Sequence, residues 1–243
     1  MRILALSDLH FNRQQLGWVT LPPPGFDLVV IAGDLLDLAG HRSLPDQVAE
    51  VRDQLIRLRA TGPLLVASGN HDADRTSADG EQFAGWVEAL KSEGITPDGG
   101  GFDLGADRLT VFPWWNGPTQ RARLVDHLER ERSLVRGRWI WVHHAPPRGS
   151  RIAWTRRGDA GDPFLSKLIG AHQPAAVLCG HIHEAPFHAD GAWCEQLGGT
   201  WVFNPGRQPG EVPAWIALDL AAGTAEYRNC EGAQTVELGW ATA

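Results

Sequence analysis

The 243-residue sequence has few cysteines and no long apolar run. Its three cysteines, Cys179, Cys194 and Cys230, are an odd number and show no C-x-x-C spacing. This excludes a disulfide framework and favours a reducing compartment. No apolar stretch reaches the roughly 18–20 residues of a membrane span, and the first residues carry no cleavage pattern of a signal peptide. We therefore expect a cytoplasmic protein that makes no contact with a membrane.

The sequence also lacks an excess of positive charge, because 22 basic and 29 acidic residues give a formal net charge of −7. A broad basic surface for nucleic acid is disfavoured by this balance, and a small-molecule substrate is the better expectation. At roughly 100–200 residues per domain, and with no repeat or linker to divide it, the chain is predicted to form one domain over residues 1–243.

Short apolar runs recur along the chain, and each is followed by small or polar residues. Runs of this length that are apolar throughout predict strands buried on both faces. The runs are Ile3–Leu6, Leu28–Ala32, Leu64–Ala67, Trp139–Val142 and Ala175–Cys179. They predict the central strands of an α/β fold.

Helical periodicity fills several intervals between these runs, and the C-terminal part changes character. The predicted helices are Leu44–Arg59, Glu81–Lys91, Thr119–Leu134 and Pro163–Ala171, the last capped by Asp162. A meander of strands is predicted at Trp193–Leu197, Thr200–Phe203, Ala214–Leu220, Ala225–Cys230 and Thr235–Leu238. Together these elements indicate two sheets with helices outside them.

Each of the five apolar runs ends in residue types that bind metals. The polar segments are Asp8-Leu9-His10, Gly33-Asp34-Leu35-Leu36-Asp37, Gly69-Asn70-His71-Asp72, His143-His144-Ala145-Pro146-Pro147 and Gly180-His181-Ile182-His183. Ligands of open α/β sheets bind at the carboxyl ends of strands, so these segments should converge. An extended backbone would point Asp8 and His10 to one face.

The donor types indicate the kind of ion. Carboxylate, imidazole and amide donors without thiolates suit Mn²⁺, Fe²⁺ or Zn²⁺. So many donors exceed what one ion needs, whereas two ions about 3.5–4 Å apart that share a carboxylate would use them all. The sequence therefore predicts a site for two divalent metal ions.

The five motifs resemble, in kind and in order, those of the calcineurin-like metallophosphoesterases, and they extend from Asp8 to His183. The resemblance implies a four-layer αββα sandwich of two mixed β-sheets flanked by helices. It also implies hydrolysis of a small phosphate mono- or diester, in which a hydroxide held between two metal ions attacks phosphorus. The compact size and a tryptophan pair slightly favour a diester or nucleotide.

The resemblance also implies roles for individual residues. The implied ligands are Asp8, His10, Asp34 and His183 for one metal, and Asp34, Asn70, His181 and either His143 or His144 for the other. The H-x-P-P spacing favours His144. His71 is implied to be a non-ligand histidine that stabilises the transition state or protonates the leaving group. Asp37 would orient its ring, with Asp72 as the alternative.

Candidate substrate contacts come from two segments outside the motifs. Trp114 and Trp115 could stack on a nucleobase or aryl group, or could be core residues. Asn204, in Asn204-Pro205-Gly206, could lie near the metals, although a β-turn explains that tripeptide equally well.

Two other functions are consistent with the same motifs. One is a DNA-processing nuclease of the same superfamily, which the acidic balance disfavours. The other is a non-catalytic scaffold that binds metals without turnover. Because every motif position is filled, the sequence favours the enzyme.

Overall fold

The computed structural model of the protein describes residues 1–240, and every element below lies within them. The helices are α1 (Arg13–Val19), α2 (Leu44–Arg59), α3 (Gly85–Ala89), α4 (Pro118–Arg132) and α5 (Pro163–His172), with 3₁₀ turns at Leu90–Glu93, Arg151–Ala153 and Ala185–Phe187. The strands are β1 (Arg2–Leu6), β2 (Leu28–Ala32), β3 (Leu64–Ala67), β4 (Arg75–Thr76), β5 (Gln82–Phe83), β6 (Gly101–Leu104), β7 (Asp107–Val111), β8 (Trp139–Val142), β9 (Trp154–Thr155), β10 (Gly158–Asp159), β11 (Ala176–Leu178), β12 (Cys194–Leu197), β13 (Thr200–Phe203), β14 (Trp215–Asp219), β15 (Thr224–Asn229) and β16 (Gly232–Glu237).

Two six-stranded mixed sheets organise these strands. The first has the order β16-β15-β14-β1-β2-β3, and the second has the order β12-β13-β11-β8-β7-β6. Within the first, β1, β2 and β3 are parallel and β14 joins β1 antiparallel. Within the second, β7, β8, β11 and β13 are parallel, between antiparallel edges. Two further pairs, β4-β5 and β9-β10, are short hairpins.

Alternate residues of each central strand face different layers, which explains why the apolar runs are continuous. In β1, Ile3 packs into the core between the two sheets, and Leu4 packs outward with Val51 and Leu55 of α2. On the other side, Trp141 of β8 packs into a third apolar cluster with residues of α4 and α5. The predicted α/β class, with two mixed sheets and helices on the outside, is confirmed.

Some local predictions differ from the structure. The helix predicted over Glu81–Lys91 is wrong in its first part, because Gln82–Phe83 pairs with β4 and the helix begins only at Gly85. The Glu81 carboxylate instead accepts hydrogen bonds from Thr119 N and Gln120 N at the start of α4. Helix α1 was not predicted; the side chain of Asn12 caps it.

The C-terminal strands do not form one meander. Strands β12 and β13 are a hairpin in the second sheet, while β14, β15 and β16 are antiparallel neighbours in the first. Among the residues described, none of the helices has the length and apolar character needed to cross a membrane.

Candidate metal centre

The five polar segments meet at one edge of the molecule, where parallel strands of both sheets end. Asp8 follows β1, Asp34 follows β2, and His181 follows β11. All three have positive φ angles, of 55°, 56° and 70°, so the chain turns sharply at each of them. His10 also has a positive φ of 40°, so the extended backbone expected for Asp8-Leu9-His10 is wrong. Left-handed backbone outside glycine is uncommon and clusters at functional sites.

Two glycines let the segments approach each other closely. A Cβ atom on Gly69 would overlap with Oδ1 of Asp34. A Cβ on Gly33, where φ is +88°, would lie 2.6 Å from Nδ1 of His144. Any side chain at either position would displace a candidate ligand, so the chemistry of the site requires glycine there.

The first cluster consists of Asp8, His10, Asp34 and His183, whose potential ligand atoms all lie within 4.8 Å of one another. The Nε2 atoms of His10 and His183 face each other at 3.0 Å. Nε2 of His183 also lies 3.2 Å from Oδ1 of Asp8. All of these residues are buried except His183, which is partly exposed.

The second cluster consists of Asp34, His144 and His181, again with ligand atoms within 4.8 Å of one another. Nε2 of His144 lies 3.2 Å from Oδ2 of Asp34. Asn70 adjoins this cluster through Oδ1, which is 2.9 Å from Nδ1 of His181. Asp34 belongs to both clusters, as expected of a bridging carboxylate.

The donor chemistry fits two cations. Nδ1 of His144 lies 2.7 Å from the carbonyl oxygen of Ala32, which places the proton of a neutral ring on Nδ1. Its Nε2 is buried, has no hydrogen-bond partner within residues 1–240 and lies 3.2 Å from Oδ2 of Asp34, so a proton or a metal ion is needed between the nitrogen lone pair and that carboxylate. Two facing imidazole nitrogens in the first cluster also need a cation or a shared proton between them. A backbone carbonyl that fixes the tautomer is the usual arrangement behind a metal-bound histidine.

Electrostatics support the same conclusion. Burial alone would raise the pKa of Asp8, but hydrogen bonds from His10 and His183 outweigh it and hold the pKa well below its usual value. Burial alone would lower the pKa of His144, but the carboxylates of Asp34 and Asp8 outweigh it and raise the pKa to about 9. The carboxylates are thus kept ionised, and they attract positive charge into the centre, whether a proton or a metal ion.

His71 lies at the open side of the centre without being part of either cluster. Its Nε2 is 3.9 Å from Oδ2 of Asp34, and its ring packs edge-on against His10 at 4.6 Å. About a quarter of its side chain, 28%, is exposed. Its Nδ1 is buried and accepts or donates no hydrogen bond within the described part of the chain.

Neither carboxylate expected to orient His71 does so. The prediction for Asp37 is wrong, because Oδ1 of Asp37 accepts a hydrogen bond from Ala39 N at 2.9 Å and its N–H donates to Gln47. Asp72, the alternative, is fully buried, and its carboxylate is occupied by the backbone. It accepts hydrogen bonds from four N–H groups, those of Asp34, Leu35, Leu36 and Gly69, at 2.8–3.1 Å.

The adjacent histidines after β8 have different surroundings. His144 lies in the second cluster, whereas His143 is buried and stacks on Trp115 with ring centroids 3.7 Å apart. The structure therefore brings His144, and not His143, to the centre.

The three candidate substrate contacts also differ in their exposure and surroundings. Trp115 is 3% exposed and its Nε1 donates to Oδ2 of Asp162, so its prediction as a substrate contact is wrong. Asn204 lies near the centre as expected, because its Nδ2 donates to the carbonyl of Ile182, between two candidate ligands, but it is fully buried and offers no surface to a substrate. Trp114 alone is partly exposed, with its ring 5.4 Å from His181.

Comparison with known proteins gives a family match to most of the chain. A family model described as calcineurin-like phosphoesterase matches residues 1–185. A search of curated proteins finds no significant match.

Solved structures share the fold over nearly the whole chain. The protein TT1561 of Thermus thermophilus is 20% identical with a TM-score of 0.60, covering 98% of both chains. A dimetal phosphatase from Danio rerio is 12% identical with a TM-score of 0.58, covering 98% of this chain and 99% of that one. A purple acid phosphatase from yellow lupin is 16% identical with a TM-score of 0.62, covering 98% of this chain and 53% of that one. At these identities the likeness shows the fold alone.

Proposed function

The chain belongs to the calcineurin-like phosphoesterase family, and on that premise we propose that it hydrolyses a small phosphate ester with two divalent metal ions. The observation that carries the proposal is the pair of donor clusters that share Asp34. A single structural ion would need only one of them. The substrate is proposed to be a small molecule, because a net charge of −7 disfavours nucleic acid.

We assign each proposed metal its own protein ligands. Asp8, His10 and His183 would hold one together with Asp34, and Asn70, His144 and His181 would hold the other together with the same carboxylate. When bound, two such cations neutralise charge on phosphoryl oxygens and lower the pKa of coordinated water. Mn²⁺, Fe²⁺ and Zn²⁺ all suit this donor set.

His71 is proposed to act on the substrate directly. Its partly exposed ring lies beside the centre, where its N–H can donate a hydrogen bond to a phosphoryl oxygen or a proton to the leaving group. Burial lowers its pKa, and the nearby negative charge of Asp34 opposes that effect only in part. Packing against His10, rather than a carboxylate, holds the ring in place.

A diester, including a nucleotide diester, is the preferred substrate, and a monoester is the alternative. The preference is supported by Trp114, which offers an apolar surface next to the second cluster for a group beyond the phosphate.

The test is hydrolysis of bis(p-nitrophenyl) phosphate and of p-nitrophenyl phosphate by metal-free protein refilled with Mn²⁺ or Zn²⁺. We expect metal-dependent cleavage of the diester, with Asp34→Asn inactive and Asp37→Asn close to the wild type. Cleavage of the monoester alone would make the protein a phosphatase. Absence of turnover on both, in protein that binds two metals per chain, would favour the non-catalytic scaffold.

A further inference from the structure

We infer that Trp114 binds a planar substituent of the substrate other than the leaving group, such as an aryl group or a nucleobase, beside the second cluster. This inference rests on the proposed phosphoesterase function and narrows its substrate class.

The indole of Trp114 borders the second cluster and not the first. Its ring centroid is 5.4 Å from that of His181 and 5.7 Å from that of His144. Both histidines are candidate ligands of one metal, so a phosphate held there would carry one of its substituents within reach of the indole. The ring is partly exposed, although its neighbours Phe112 and Trp115 are buried.

The loop that carries Trp114 is held by hydrogen bonds at two of its residues, Trp114 and Asn116. Its N–H donates to Oγ of Ser68 at 3.0 Å, and Ser68 N donates to Oδ1 of Asp98 at 2.9 Å. Further along the loop, Asn116 accepts from Gln82 N at 3.1 Å. A side chain on an anchored loop loses little freedom when a ligand stacks on it, which favours binding.

The two tryptophans of the pair differ in what remains free. Trp115 stacks closely on His143, with ring centroids 3.7 Å apart, and its indole N–H donates to Asp162, whereas the ring of Trp114 lies 6.4 Å from that of His143. Within residues 1–240, the indole N–H of Trp114 makes no hydrogen bond. Trp114 thus keeps partly exposed ring surface and a polar donor at the edge of the centre, which is the combination that aromatic ligands use.

The experiment compares two diesters that share the p-nitrophenolate leaving group. One is thymidine 5′-(p-nitrophenyl phosphate) and the other is methyl p-nitrophenyl phosphate, so that only the second substituent changes. We expect Trp114→Ala to lower kcat/KM for the nucleoside ester about tenfold or more, as for loss of a base stack. For the methyl ester, Trp114→Ala should lower kcat/KM by less than about threefold. Trp114→Phe should retain most of the difference in kcat/KM that the wild type shows between the two esters.

Trp154→Ala is the matched control. Trp154 is also partly exposed and stacks on a histidine, His188, at 3.9 Å, but His188 belongs to neither cluster. This variant should behave as the wild type on both esters. Equal losses on the two esters with Trp114→Ala, or no loss on either, would overturn the inference.

A binding measurement separates this inference from the proposed function. Thymidine 5′-phosphate is titrated into Mn²⁺-loaded wild type and Trp114→Ala by calorimetry. If neither ester is hydrolysed but the nucleotide binds about tenfold more weakly to the variant, the proposed function fails and the role of Trp114 stands. Equal nucleotide affinity in both proteins would reject the role of Trp114, whatever the turnover.

Discussion

The two donor clusters differ in charge although they share Asp34. The first adds a second carboxylate, Asp8, to two imidazoles, whereas the second adds only imidazoles and the neutral amide of Asn70. Each carboxylate attracts a divalent cation far more than a neutral donor does, especially when it is buried. We therefore expect the first cluster to bind its metal more tightly and the second cluster to exchange its metal more readily.

The largest expected effect comes from the shared residue. Asp34→Asn should weaken metal binding at both clusters and lower turnover by about 10²–10³-fold or more, because it removes charge from the whole centre. Metal content after dialysis and turnover of the diester would measure this. Asp37→Asn is the control, because that carboxylate caps a turn at Ala39 and touches neither cluster. Retention of two metals by Asp34→Asn would show that the residue is not a bridge.

The expected difference in metal affinity between the two clusters is tested by deleting one imidazole from each. Calorimetric titration of metal-free protein with Mn²⁺ should show two steps of unequal affinity. His144→Ala should weaken the weaker step by about tenfold or more, and His10→Ala should weaken the tighter step by a similar factor. If His144→Ala instead affected the tighter step, the assignment of affinities to the clusters would be reversed.

An effect smaller than that of Asp34→Asn is expected from Asp72, which lies behind the ligands. Its carboxylate holds four backbone N–H groups around Asp34 and Gly69, and Asn would leave two of them facing an amide N–H₂. We expect Asp72→Asn to lower metal affinity by about 10–100-fold at both clusters, because Asp34 serves both. Calorimetry with Mn²⁺ measures this change.

Asp162→Asn provides the control for that variant. Asp162 likewise accepts backbone N–H groups, those of Phe164 and Leu165, but it does so at the start of α5. A loss of metal affinity as large in Asp162→Asn as in Asp72→Asn would indicate a general loss of stability rather than misplacement of Asp34.

Much of this centre was predictable because strand ends and donor types are both local properties of the sequence. The run Leu28–Ala32 is apolar throughout, and the structure has β2 over the same residues. Side-chain direction was not predictable to the same degree. Trp114 and Trp115 are neighbours with the same chemistry, and Trp115 is buried by contacts with His143, Phe164 and Asp162 that are distant in sequence.

The roles of Asp37 and Asp72 were also beyond the sequence. Both residues are close enough in sequence to the ligands for contact with His71. The chain after Asp34, however, turns toward α2, where Asp37 N–H donates to Gln47. The role of Asp72 could not be predicted, because a carboxylate that binds backbone N–H groups requires no particular residue types at the positions it contacts. The helix predicted over Glu81–Lys91 failed for a related reason, since Glu81 caps a different helix, α4.

The smallest expected effect concerns Asp98, whose carboxylate accepts a hydrogen bond from the N–H of Ser68, two residues before Asn70 of the second cluster. Burial raises the pKa of Asp98 to about 7, well above its ordinary value of 3.8, despite hydrogen bonds from Ser68 that oppose the shift. The folded state therefore holds this proton more tightly than the unfolded state. The stabilisation is fully present below about pH 4 and is lost progressively as the pH rises from there through 7.

Urea unfolding of metal-free protein at pH 5 and pH 8 should show a fall in stability for the wild type and a smaller fall for Asp98→Asn. An equal pH dependence in the two proteins would mean that Asp98 titrates normally, and that Ser68 and the Trp114 loop are held without a buried proton.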